Sequence, residues 1–129
     1  MKNLTTITVL SILLISLNSC HKNDAKSAVI TIEEPIIGDT IAFGDSLHLE
    51  GTIAGDGKMR GYSLTFTNVS TGGILNELQS DKRAGSYSFH EHWQNNVSDT
   101  ALVHLMVEVT LDHDGNKAMK DVYVVCLPN

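Results

Sequence analysis

Residues 101–111 (ALVHLMVEVTL) place Ala101, Val103, Leu105, Val107, Val109 and Leu111 on one parity. His104, Met106, Glu108 and Thr110 fall on the other. An apolar side chain at every second position suits a pleated strand with one buried face, and no α-helix gathers such a set on one stripe. The chain must bury this strand against something, and the rest of the sequence offers more strands.

Shorter alternating stretches recur with turn residues between them. Residues 28–33 (AVITIE) form a first strand broken at Glu34-Pro35, and 36–43 extend it as far as Gly44-Asp45. In 46–53 (SLHLEGTI), Leu47, Leu49 and Ile53 oppose His48, Glu50 and Thr52. The stretch 54–57 (AGDG) carries turn chemistry. Residues 61–68 set Tyr62, Leu64 and Phe66 against Ser63, Thr65 and Thr67, and 74–78 form a short peripheral strand after Gly72-Gly73. In 84–93, Tyr87 and Phe89 point inward while Ser88, His90 and His92 point outward. A hairpin turn at 112–116 (DHDGN) leads to a closing strand over 117–127. About seven strands at this spacing predict an all-β fold, an immunoglobulin-like antiparallel β-sandwich. The Cys–Trp–Cys signature of antibody domains is absent.

The N-terminus is of another kind. Lys2 precedes a mostly apolar run from Leu4 to Leu17, too short and too polar for a membrane span. The run ends in Leu17-Asn18-Ser19-Cys20, which resembles the lipobox of bacterial lipoproteins. That resemblance implies cleavage before Cys20, a diacylglycerol on its sulfur and an acylated amine. Several acyl chains anchor far more firmly than one. The expected organisation is a lipoprotein signal peptide over 1–19, an acylated Cys and polar tether over 20–27, and the sandwich over 28–129. A Lys and an acidic residue soon after Cys20 loosely resemble the surface-export signals of some Gram-negative lipoproteins, with Asn23 interrupting. With Cys20 lipidated, Cys126 is the only thiol left and no intrachain disulfide can form.

Charge narrows the partners. The chain of 129 residues has 9 basic and 15 acidic residues, a net charge of −6 with no cationic cluster, which excludes nucleic acid as a partner. Enzyme signatures are missing too. Gly55-Asp56-Gly57 lacks the Lys-Ser/Thr of a phosphate loop, and no nucleophile elbow singles out a triad. Asp112-His113-Asp114-Gly115 begins like a calcium loop, but its twelfth position is Tyr123 where a bidentate Glu is needed.

The segments GDSLHLEGTI, LVHLMVEVT and DHDGN together resemble an uncharacterised family of immunoglobulin-like lipoproteins of Gram-negative bacteria, a domain of unknown function. The matching positions are Gly44, Asp45 and His48, then His90 or His92, then His104, with Asp112, Gly115 and Asn116 at the turn. This chain is shorter in the middle and lacks a His-rich insertion found in some members. The resemblance implies a sandwich fold and an envelope location, and it implies no activity.

The histidines carry the functional expectation. In an immunoglobulin-like layout the second strand lies beside the strand holding His90 and His92, so His48, His90 and His92 share an outer sheet face. Residues i and i+2 lie about 6.6 Å apart along a strand, and opposed Cβ atoms about 5 Å apart across strands. Three imidazoles so spaced are candidate ligands for Zn(II) or Cu(II), with Glu50 or Glu91 as a fourth ligand or as a carboxylate orienting an imidazole. His104 falls on the outer face of the opposite sheet, with Met106 and Glu108 as candidate companions in a second site. The expected function is a non-catalytic binding module of an outer-membrane lipoprotein, facing the periplasm or the cell surface. The alternative is an adhesion or assembly module that engages an envelope protein without metal. If Cys20 is the anchor, Cys20→Ser abolishes lipid labelling and releases the protein from membranes. Unchanged membrane association of that variant on fractionation contradicts the lipoprotein reading.

Overall fold

The computed structural model describes residues 23–129. The signal peptide over 1–19 and the lipidation site Cys20 lie outside them. Eight strands follow in chain order: β1 (Ala28–Glu34), β2 (Thr40–Ile41), β3 (Ser46–Met59), β4 (Gly61–Asn68), β5 (Ile74–Ser80), β6 (Ala84–Gln94), β7 (Ala101–Thr110) and β8 (Lys117–Cys126). They form two facing sheets, one ordered β1-β3-β6 and the other β2-β8-β7-β4-β5. This is the all-β, immunoglobulin-like sandwich expected from the alternation, with one more strand than anticipated.

The core lies between the inner faces of the two sheets. On β7, Val103, Leu105, Val107 and Val109 are wholly buried, and on β3 Leu47, Leu49 and Ile53 are likewise. Tyr87 and Phe89 of β6 reach across to Tyr62 of β4, with ring centroids 4.9 and 6.3 Å apart. Gly51 of β3 makes room for this packing. A Cβ there would lie 1.9 Å from the Thr31 carbonyl oxygen and 2.8 Å from Cζ of Phe89. Only a residue without a side chain fits under the Phe89 ring.

The strands give the sandwich two ends. At the far end, the sheets are tied by Asn95, which is fully buried. Its Nδ2 donates to the carbonyls of Ile41 at 3.1 Å and Leu127 at 2.9 Å, and its Oδ1 accepts from the Val97 amide at 3.2 Å. Residues 34–40 cross here from the first sheet to the second. The crossing leaves only the two residues of β2 in ladder geometry, parallel to Val125 and Cys126, in place of the longer extension expected over 36–43.

At the opposite end, the base, two expectations are corrected. The AGDG stretch is no turn, because β3 runs through it to Met59. Residues 23–27 lie alongside and occupy its hydrogen-bonding groups: Lys58 N donates to Asn23 O at 2.6 Å, and Ala25 N to Lys58 O at 3.0 Å. Gly57 is where the two segments touch, since a Cβ would lie 2.8 Å from the carbonyl oxygens of Asn23 and Asp24. The Asp56 carboxylate accepts from the amides of Lys26 at 2.8 Å and Ser27 at 3.1 Å. The bond from Ser27 and its companions hold Asp56 below the usual carboxylate range.

The same packing means that the described part of the expected tether, 23–27, belongs to the fold. Ala25 is buried, and the Asp24 side chain is only 6% exposed. Its carboxylate pairs with Arg60 at 3.2 Å, with Arg83, and with His113 at 3.5 Å. Those three residues come from the β3–β4, β5–β6 and β7–β8 connections, so one carboxylate gathers three turns. Burial opposes ionisation of Asp24, yet the Arg60 bond and charge, with His113 and Arg83, outweigh it and lower its pKa.

Two measurements follow from this packing. Gly51→Ala forces a methyl into the Thr31 backbone and the Phe89 ring, and it should cost roughly 1–3 kcal/mol in urea unfolding. A variant as stable as the parent would show that the β1–β3–β6 packing differs. Asp24, Asp56 and Asp112 all have lowered pKa values. Their stabilisation is therefore present above the unfolded carboxylate value and fades as pH falls through the folded one. Melting temperature should drop on acidification below about pH 4, and Asp24→Asn should melt lower at pH 6 with a shallower acid-side drop. Parallel pH profiles for parent and variant would remove Asp24 from the account.

Candidate functional site

The outer face of the β1-β3-β6 sheet gathers the residues picked out by alternation. β3 and β6 pair antiparallel, with His48 opposite His92 and Glu50 opposite His90. Because opposed residues of a ladder share a face, these four side chains form a block two strands wide and two positions long. β1 extends the row, since Glu34 lies opposite Glu50. His90 and His92 are exposed, and His48 and Glu50 are half-buried.

The three rings converge. The His48 and His90 rings are stacked with centroids 5.2 Å apart, while His92 lies 5.9 Å from His48 and 6.3 Å from His90. Nδ1 of His48 and Nε2 of His90 are hydrogen-bonded at 2.9 Å, so one ring donates and the other accepts. Tetrahedral bonds of 2.0–2.1 Å to one ion would set two ligand nitrogens roughly 3.3 Å apart. The pair therefore already stands near ligand separation, joined by a proton instead of a cation. Among the described residues no group of three or more His, Cys, Asp or Glu side chains is placed to hold a metal ion as it stands. Loading this block requires the shared proton to leave and the rings to turn outward.

Not every candidate joins it. Glu91 is corrected. It lies opposite Leu49, on the inner parity of β6. Its Oε1 accepts from Asn76 Nδ2 of β5 at 3.3 Å and from the His92 amide at 3.2 Å. Glu91 therefore ties the two sheets together at their margin, facing away from the histidines. His104 sits on the other sheet, as its parity implies. Its Nε2 lies 2.8 Å from Asp121 Oδ2, and its ring stacks on Tyr123 at 4.5 Å. Both neighbours come from β8, so His104 is a cross-strand contact apart from the trio, and its partners are Asp121 and Tyr123. Trp93, on the inward parity of Tyr87 and Phe89, packs partly buried against the core. Cys126 is fully buried, and burial pushes its thiol pKa up, so it stays protonated and unreactive.

The DHDGN segment is the hairpin turn it resembles. Asp112 accepts from the amides of Asp114 at 3.0 Å and Asn116 at 3.1 Å, and from Asn116 Nδ2 at 2.7 Å. The Asn116 bond leads in holding the Asp112 carboxyl low. These bonds spend on the turn the oxygens a calcium ion would need.

Sequence reasoning missed two residues here. Glu34 reads as a strand end before Pro35, and only the register shows it beside Glu50. Asp24 falls in a polar stretch whose partners are distant in sequence, so no local signal marks it.

No family model matches the chain, and no curated protein matches it. Membership of the lipoprotein family suggested by its motifs therefore gains no support from that quarter. Among solved structures, the chain is similar to the fibronectin(III)-like modules of Clostridium thermocellum CbhA. The match has a TM-score of 0.51 at 14% identity and covers 77% of this chain and 96% of the module. At that identity the likeness establishes the immunoglobulin-like sandwich fold and nothing beyond it.

Proposed function

We propose that the protein is a non-catalytic binding module, anchored to the outer membrane through Cys20, whose outer β1-β3-β6 face takes a transition-metal ion. His48, His90 and His92 supply the nitrogens and Glu50 the carboxylate. The observation that carries this reading is the 2.9 Å contact between His48 and His90, flanked in register by His92 and Glu50. Borderline-soft imidazole donors suit Zn(II) or Cu(II), whereas Ca(II) and Mg(II) want oxygen. A second reading, an adhesion or assembly module without metal, draws on the apolar ridge described below.

Calorimetric titration of the full chain in neutral detergent, without a His tag, tests the metal reading. Zn(II) or Cu(II) should bind well below millimolar, and binding should release protons and weaken below about pH 6. His48→Ala or His90→Ala should cost about tenfold or more in affinity, and Glu50→Gln less. His104→Ala, on the other sheet, should leave affinity unchanged. Equal binding by all four variants, or a parent no tighter than about millimolar, refutes the site.

A further inference from the structure

The crossing between the sheets at the far end presents Ile36 and Ile37 to solvent, 67% and 77% exposed. Asp39 shapes this bend by accepting from the Ile36 amide at 2.9 Å. Two adjacent isoleucines held out on an ordered bend form an apolar ridge. On one flank lies a cleft of about 300 Å³ lined by Glu33, Glu34, Pro35, Ile36, Ile41 and Leu47, with Asp39 and His48 at its margin. Among the described residues, neither Glu33 nor Glu34 is ion-paired. The opposite flank, a cleft of about 350 Å³, shares Glu33 with the first and is bordered by Lys120 as well as Asp121.

The charge distribution says what fits the first cleft. The far-end segments 34–46, 68–74, 94–101 and 126–129 contain Glu34, Asp39, Asp45 and Asp99 but no Lys, Arg or His. Of the described Lys and Arg, Lys120 of β8 borders the second cleft of the ridge, and the others lie toward the base: in 23–27, beside the β3–β4 and β5–β6 turns, or at the start of β8. A domain polarised in this way draws a cationic partner to its far end and aligns it on approach. Lysine and arginine also carry apolar stems, which can lie along the exposed Ile36 while the charged head reaches the carboxylates.

We propose that the Ile36–Ile37 ridge and the Glu33–Glu34 cleft bind an extended basic segment of a partner protein, with one lysine or arginine side chain in the cleft and apolar neighbours on the ridge. The cation would sit between Glu33 and Glu34, neither of which has an ion-pair partner among the described residues. This surface goes beyond the metal reading and does not depend on it, although His48 and Glu34 border both.

The test is fluorescence anisotropy of a short labelled peptide alternating lysine with valine, titrated with the full chain in neutral detergent and excess chelator. It should bind about tenfold or more tightly than a serine–valine peptide, while a glutamate–valine peptide should not bind. Glu33→Gln with Glu34→Gln, and separately Ile36→Ser with Ile37→Ser, should each weaken binding about fivefold or more. Asp114→Asn at the base should change nothing. All these positions are exposed, and circular dichroism confirms that each variant keeps the fold. Because metal is chelated throughout, failure here is distinct from failure of the metal site. Indifference to peptide charge, or an equal loss in Asp114→Asn, overturns the proposal. So does self-association in sedimentation that Ile36→Ser with Ile37→Ser abolishes, because a second copy would then cover the ridge.

Discussion

The register of β3 against β6 is the constraint on which both the core and the candidate site depend. Leu47, Leu49 and Ile53 face inward only because His48, Glu50 and Thr52 face outward, and a slip of one residue would exchange the two sets. Gly51 pins that register. It lies opposite Phe89, and its missing side chain is the gap over which the ring lies. No other position in β3 offers that combination, so the aromatic ring and the glycine index the two strands. The histidines are thus brought together by hydrophobic packing on the other side of the sheet. Their own mutual bond is exposed and adds little to it.

The ends of the sandwich are closed by two unlike polar devices. Asn95 is neutral and buried, and it satisfies two carbonyls and one amide where the crossing and the C-terminal strand meet. Asp24 is charged and gathers two guanidiniums and an imidazole from three turns. This difference gives the molecule direction. Cys20 precedes Asp24 by four residues, a reach of at most roughly 14 Å. A lipid on Cys20 would hold the base close to the bilayer and leave the Ile36–Ile37 ridge pointing away from it. The mixed charge of the base would then face headgroups, and the acidic far end would face whatever the module meets.

Period-two alternation made most of the sandwich legible. The span of β4 matches the expectation over 61–68, β7 differs by one residue, and the facing of His48, His90 and His92 follows from parity alone. Where the alternation misled, a distant segment had intervened. Gly55-Asp56-Gly57 carries the composition of a turn, but its glycines serve close approach to Asn23 and Asp24, which no local pattern announces. The polar stretch 23–27 reads as a tether because its partners Arg60, Arg83 and His113 are each more than thirty positions away. Glu91 stands between His90 and His92 in sequence, yet its own parity places it on the inner face opposite Leu49. Register, unlike parity, belongs to pairs of strands, and so the Glu34–Glu50 pair could emerge only from the folded chain.

That last pair sharpens the reading of the outer face. Two carboxylates directly opposed on neighbouring strands repel, and such pairs cost stability when nothing lies between them. Neither Glu34 nor Glu50 has a Lys or Arg ion-pair partner among the described residues. Next to them, His48 and His90 share a single proton in a bond between two rings. A divalent cation in this block would screen the carboxylates and take the place of the shared proton. A solvated face of incidental polar residues needs neither the opposed carboxylates nor the convergent rings, and threonine or serine would serve it at lower cost. The sheet holds these groups together through the packing beneath them, and on the proposed reading a cation would complete the arrangement.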